Sequence, residues 1–161
     1  MVCFFFQLFL NSGDDLNSGL YEGMVKGRRR FGNTQKPHGF GVINYFTNDK
    51  FHRKNYTGNW KDGNRHGNGT TYFRDGSIYR GEYLNGLEEG KGIISYPNGN
   101  ILTGLFADGK IHGHTVLRYA NGDQREGFFR ENELDGQVNG TNDFTWCYFV
   151  SIYYTIKSKR V

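Results

Sequence analysis

One spacing constrains this chain more than any other property: its glycines recur every 23 residues. Gly58, Gly81, Gly104 and Gly127 form one series, and Gly67, Gly90, Gly113 and Gly136 form a second. Gly63, Gly86 and Gly109 keep the same interval, as do Gly76, Gly99 and Gly122. Rings stay in step with them. Trp60, Tyr83, Phe106 and Phe129 make one column, and Phe73, Tyr96 and Tyr119 another. A fixed period of this size is the signature of a repeat array, in which each unit buries its apolar face only against its neighbours.

An earlier, degenerate unit opens at Tyr21-Glu22-Gly23 and continues at Pro37-His38-Gly39-Phe40-Gly41, with insertions in 27–36 and near 47–55. The array is therefore expected over 21–138, about four and a half units, between an N-terminal tail (1–20) and an aromatic and basic C-terminal tail (139–161). It decays in its fifth unit, where Asn132 and Val138 stand at glycine positions.

Each unit reads as two short strands. Tyr56, Gly58 and Trp60 alternate with polar residues and share one face; Gly67, Gly69, Thr71 and Phe73 do the same. Between them Lys61-Asp62-Gly63-Asn64 is turn chemistry, with glycine supplying positive φ, and Asp75-Gly76 makes the next reversal. The expected fold is all-β, an elongated single-layer ribbon of repeated hairpins. Glycines on the ring face are expected to leave room for the neighbouring unit's Trp, Tyr or Phe. With strands ~4.8 Å apart, each unit lengthens the ribbon by ~10 Å.

Composition agrees. Glycine supplies 24 of 161 residues and proline 2, which excludes collagen, and 17% aromatics argue against simple disorder. Sixteen of the glycines fall in 56–138. The net charge of +4 belongs to the ends: 56–138 carries 9 basic and 11 acidic residues. Cys3 and Cys147 are too few for a disulfide scaffold or a zinc site, so a reducing compartment, cytoplasmic or nuclear, is expected rather than secretion or membrane anchoring. The apolar runs 2–10 and Phe144–Ile156 lack the flanks or the length of a signal peptide or a membrane helix; a strand or a docking segment are the alternatives.

The motif Tyr56-x-Gly58-x-Trp60-x-x-Gly63-x-x-His66-Gly67-x-Gly69-x-x-x-Phe73-x-x-Gly76 resembles the MORN repeat, and the unit from Tyr79 follows it with Glu89 in the histidine place. The resemblance covers 21–138. It implies a curved hairpin ribbon that serves as a scaffold or attachment segment, with lipid binding proposed for some members. The order of departures is similar to that in the N-terminal MORN segment of SET-domain histone and protein lysine methyltransferases. The departures are Pro37-His38-Gly39-Phe40, Leu87-Glu88-Glu89-Gly90-Lys91-Gly92, Thr115, and Arg130-Glu131-Asn132. Nothing in the chain matches a SET domain, so S-adenosylmethionine would be a cofactor only of a longer protein.

No catalytic, cofactor or metal site is expected in the chain itself. His112 and His114 stand at ligand spacing, but His112 belongs to the repeated column of His38 and His66 and no acidic or cysteine partner accompanies the pair. Gly67-x-Gly69 and Gly90-x-Gly92 lack the continuation of a phosphate loop. Glu88-Glu89 is read as solvated turn charge. Lys26, Arg28, Arg29 and Arg30 form the densest basic cluster, a candidate contact for anionic lipid headgroups or a solvated insertion. The expected function is a non-catalytic protein-interaction scaffold. The alternatives are a regulatory segment of a SET-type methyltransferase and a membrane-surface adaptor. Edge-to-edge homodimers are compatible with the ribbon, and nucleic acid is disfavoured by the acidic balance of the array.

Overall fold

The structure, a computed structural model, describes residues 4–10, 18–27 and 35–136. Those residues form one antiparallel sheet of eleven strands in sequence order, with no helix among them. The strands are β1 (Phe4–Leu10), β2 (Gly19–Lys26), β3 (Lys36–Tyr45), β4 (Arg53–Lys61), β5 (Asn64–Phe73), β6 (Ile78–Leu84), β7 (Leu87–Ser95), β8 (Ile101–Ala107), β9 (Lys110–Arg118), β10 (Gln124–Arg130) and β11 (Glu133–Leu134). The hairpin ribbon is thus observed. It begins earlier than the periodicity indicates: Phe4–Leu10, assigned above to a tail, pairs along its whole length with β2. The second tail, 139–161, lies outside the described residues.

Two turn types alternate along the ribbon. Hairpins within a unit close through two residues with positive φ: Asp62 and Gly63 (50° and 95°), Asn85 and Gly86 (50° and 93°), and Asp108 and Gly109 (51° and 74°). Both central residues are left-handed, as the tightest hairpins require to match strand twist. The fifth unit keeps this geometry without glycine, through Glu131 and Asn132 (50° and 76°). Hairpins between units close through longer loops, in which Asp75, Asn98 and Asn121 each accept a hydrogen bond from the backbone N–H two residues on.

The strand register sets a row of glycines straight across the sheet. Gly23 lies opposite Gly41, then Gly58, Gly69, Gly81, Gly92 and Gly104 follow, each on the next strand. Tyrosine rings lie on this row. The Tyr56 hydroxyl donates to the Asn59 carbonyl (2.8 Å), so the ring stretches along its own strand across Gly58 and onto Gly69. Tyr21 and Tyr79 do the same, donating to Met24 and Glu82. The ring that fills the glycine space therefore comes from the glycine's own unit, not from the neighbouring unit as expected above. The reason is the pleat: the Tyr two residues before Gly58 already stands on that face.

The Trp60 column joins these rings into a ladder. Tyr21 to Trp60, Trp60 to Tyr56, Tyr56 to Tyr83, Tyr83 to Tyr79 and Tyr79 to Phe106 all meet edge to face, with centroids 5.0–5.3 Å apart. Such pairs contribute ~0.5–1.5 kcal/mol each beyond the area they bury. Trp60, Tyr83, Phe106, Phe129 and Phe73 are buried, while Tyr96 and Tyr119 are half-buried and pack on the edge of the core. A single layer of sheet thereby closes one of its own faces.

The second glycine column does a different job from the one expected of it. Gly67, Gly90 and Gly113 have φ of 66°, 62° and 76°. Gly67 sits in the register shift between Gly58 and Trp60, and the other two lie in the corresponding shifts. They permit a bulge rather than seat a ring. Gly136 lies past β11 with open space around it.

In the fourth unit the ring seat changes hands. Leu102 stands where Tyr56 and Tyr79 stand, and Thr115 where Gly69 and Gly92 stand. Leu102 lacks the hydroxyl and the reach to cover the row, and the Thr115 side chain fills the place instead: a methyl built on Gly104 would lie 2.7 Å from its Oγ1. Both residues are fully buried.

Burial pushes the hydroxyls of Tyr21, Tyr56, Tyr79, Tyr83 and Tyr96 well above the ordinary tyrosine range, with nearby Glu88 adding to the shift of Tyr79 and Tyr83. In the unfolded chain these groups ionise near pH ~10. Their contribution to stability is therefore whole below that pH and is lost as pH rises above it, because the unfolded state releases its protons first. In an alkaline titration followed at 295 nm, these five should ionise only together with loss of the sheet. Smooth titration of all 11 tyrosines around pH ~10, with the β-signal intact, would contradict the buried ladder.

Candidate interaction surface

The column one residue before the histidine place is Arg65, Glu88, Ile111 and Leu134, each 23 residues from the next. The first three are buried. Glu88 is only 4% exposed on β7, which corrects its reading as solvated turn charge. Its position opposite Tyr83 turns it toward the ring face. Arg65, opposite Trp60, reaches into the following unit. Its Nη2 donates to the Gly86 carbonyl, its Nη1 to Thr71 Oγ1 (3.4 Å), and its guanidinium stacks over Tyr83 (4.9 Å) and Tyr56 (5.7 Å). Thr71 Oγ1 also meets the Tyr83 hydroxyl at 2.7 Å. Burial opposes the charge on Arg65, and the surrounding Tyr45, Tyr83, Glu88 and Tyr56 outweigh it, so the guanidinium is held protonated.

The insertion before β4 is ordered by a buried ion pair. Asp49 and Arg53 are 1% and 2% exposed, with Arg53 Nη2 donating to Asp49 Oδ1 (2.6 Å). Asp49 Oδ2 also accepts from the backbone N–H of Phe51 and Arg53, and the guanidinium stacks on Tyr45 at 3.9 Å. The insertion near 47–55 thus carries its own closure.

The histidine column has a structural use that not every member fulfils. His38 Nδ1 accepts a hydrogen bond from the backbone N–H of Asp62 on the next turn (3.4 Å). Glu89, in the same column, does this for Asp108 through Oε2 (3.1 Å). His66 Nδ1 is buried without a hydrogen-bond partner among the described residues. His112 and His114 are exposed, and His114 Nε2 pairs with Glu126 Oε2 at 3.4 Å. Among the described residues no three His, Cys, Asp or Glu side chains gather as metal ligands. Of the basic cluster, Lys26 donates to Asp62 Oδ1 (3.3 Å), which holds that carboxyl below its usual range; Arg28, Arg29 and Arg30 lie outside the described residues, as do Cys3 and Cys147.

The face opposite the rings is open, and its chemistry changes along the ribbon. On β4 and β5 it carries Asn59, Thr57, Asn68 and Thr70; on β7 to β10 it carries Ile93, Ile101, Leu105, Val116 and Phe128. Over the first stretch, Phe40, Thr57, Asn68, Thr70 and Arg80 wall a shallow depression floored by Gly58, Gly69 and Gly81. Sequence reasoning missed Tyr21, Tyr56 and Tyr79 as ladder members, the Arg65–Glu88 column and this apolar outer patch. The 23-residue interval already contained the column; the patch is visible only once strand pairing sets its members side by side.

This geometry is that of a repeat module rather than of an enclosed site. The MORN repeat model matches residues 56–78, 79–101 and 103–124. The three matches follow one another from β4 to the start of β10. No curated protein matches the chain.

Arg65 and Glu88 are two buried charges that feel one another; leaving one such charge without its counter-charge costs ~3–5 kcal/mol, whereas replacing both by apolar residues can be neutral. Arg65→Leu alone should lower stability by about that amount in urea unfolding. Arg65→Leu with Glu88→Leu, which reproduces the apolar character of Ile111 and Leu134, should recover most of it. A double variant as unstable as the single one would show that the charges do not act as a pair.

Proposed function

We propose that the chain is a non-catalytic scaffold that holds a protein partner against its ribbon. The observation that carries this reading is the inequality of the two faces. One is sealed by its own rings, while the other exposes large apolar side chains, Phe128 at 59% and Phe40 at 56%, on a sheet whose strands are already paired to one another. Exposed apolar patches on a rigid frame mark interaction sites. The MORN repeats support the same reading, since such modules serve generally in protein or membrane interaction.

A second reading, a regulatory segment of a SET-type lysine methyltransferase, rests on the order of departures in the repeats. Three of the four departures also have a local physical reason: Glu89 replaces a histidine acceptor, Thr115 fills beside Leu102, and Glu131-Asn132 closes a hairpin. The scaffold reading accounts for these three without a further domain. An in-frame SET segment in the gene would decide for the alternative.

Cross-linking of the chain in complex with material from its source cells should map one defined protein onto residues 35–136, in a stoichiometric complex that re-forms from the purified components. A well-folded chain that forms no such complex contradicts the proposal.

A further inference from the structure

Strand pairing places a compact apolar patch on the outer face of β7 to β10. Ile93 lies opposite Thr103, which lies opposite Val116. Leu105 and Ile101 flank Thr103 on β8, and Phe128 lies opposite His114 with the two rings 5.3 Å apart. Ile93, Ile101, Leu105 and Phe128 are each at least 40% exposed. The corresponding positions on β4 and β5 are mostly Asn and Thr, so the patch is a local feature of this half and not a consequence of the repeat.

The charges around it are unequal. Arg80, Lys91 and Arg118 stand on the same face, opposite or beside the apolar residues, and none is in an ion pair among the described residues. The carboxylates of that face on β6 to β10 are engaged: Glu82 lies over Gly90 and accepts from the Lys91 N–H, Glu89 opposite it accepts from the Asp108 N–H, and Glu126 pairs with His114. An apolar surface with unanswered cations at its margins is complementary to an apolar surface edged with carboxylates. A membrane fits less well. Residues 87–130 carry 5 basic and 5 acidic side chains, so nothing draws this half of the ribbon to an anionic bilayer at long range.

The sheet also selects the secondary structure of its occupant. The backbone of β7 to β9 is paired on both sides and that of β10 along β9, with β11 covering only its end at Phe129 and Arg130, so a strand laid on this face would leave its own N–H and C=O groups without partners. A helix satisfies its own. Four strands at ~4.8 Å spacing present ~15 Å of patch, which matches about three helical turns. We propose that the outer face of β7 to β10 receives an acidic amphipathic helix of a partner protein, its apolar stripe on Leu105, Ile93 and Phe128 and its carboxylates toward Arg80, Lys91 and Arg118. This assignment rests on the scaffold reading and adds the face and the chemistry of the partner.

The probe is a fluorescent peptide of about fourteen residues with Leu and Phe at helical spacing and Glu on both flanks, compared with its Gln counterpart. The Glu peptide should bind the full chain about tenfold more tightly than the Gln peptide, and the difference should shrink at high salt. Amide chemical shifts should move along β7 to β10. Arg118→Glu should weaken binding about tenfold, and Leu105→Ser with Phe128→Ser should abolish it, while Asn59→Ser on the polar half leaves it unchanged. Should the serine variant fail to fold, the shift map of the unaltered chain decides alone. Absence of binding, shifts confined to the turns or to β3–β6, equal affinity for the two peptides, or preference for phosphatidylserine vesicles over the peptide would each overturn the assignment. The two readings fail separately: a cross-linked partner seated elsewhere on the array leaves the scaffold standing and removes this face, whereas no partner at all removes both.

Discussion

Every other feature of this ribbon depends on a tyrosine lying flat on a pair of glycines. A single-layer sheet has no second layer to cover its apolar face, so its core must be built within the thickness of one side chain. Removing Cβ from a row of residues lowers the floor, and the ring two positions earlier lies down in the space, anchored by its hydroxyl on the carbonyl three residues on. Lying flat, it offers its face and edge to the rings of the next column, and the ladder follows. Tyr21, Tyr56 and Tyr79 are fully buried in a ribbon one sheet thick among the described residues.

The same dependence explains how the repeat can vary without failing. The seat must be filled, but not always by the same residue: Leu102 and Thr115 together occupy what Tyr79 occupies alone. A hairpin needs two left-handed residues, and Glu131-Asn132 supplies them without glycine. The turn N–H needs an acceptor, which His38 or Glu89 provides. Arg65 and Glu88 depart from the apolar residues of later units as a pair, across the boundary between two repeats. Quasi-identical units carry a risk of pairing out of order, and the bond of Arg65 to the Gly86 carbonyl and its stacking on Tyr83, which join these two units in this order, oppose such a slip.

Much of the fold was legible because the repeat interval is fixed. Gly63 and Gly86 announced tight turns, and Trp60, Tyr83 and Phe106 announced a buried column. Two things were hidden for a physical reason. Which ring fills a glycine space depends on rotamer and reach, so Gly69 reads the same whether Tyr56 or Trp60 covers it. Whether a charge is buried depends on the register shift beside it, so Glu88 next to Gly86 reads as turn chemistry although the bulge at Gly90 turns it inward. The outer patch was hidden for a third reason: Ile93, Leu105 and Phe128 are far apart in sequence, and only the pairing of four strands gathers them.

The division of labour between faces follows. Ring packing gives stiffness, and leaves the opposite face free to change its chemistry from unit to unit without cost to the core. The claim beneath all of this is that ring and glycine are one unit of design, and a double-mutant cycle between Tyr79 and Gly92 tests it most directly. A side chain at Gly92 would meet the Tyr79 ring at 2.6 Å. Gly92→Thr should therefore destabilise the chain by ~1–3 kcal/mol or more through overpacking, whereas with Tyr79→Leu already in place, as nature has Leu102 beside Thr115, the same change should be neutral or stabilising. Equal costs of Gly92→Thr in the two backgrounds would mean that the glycine row does not exist to seat the rings, and the account would be wrong.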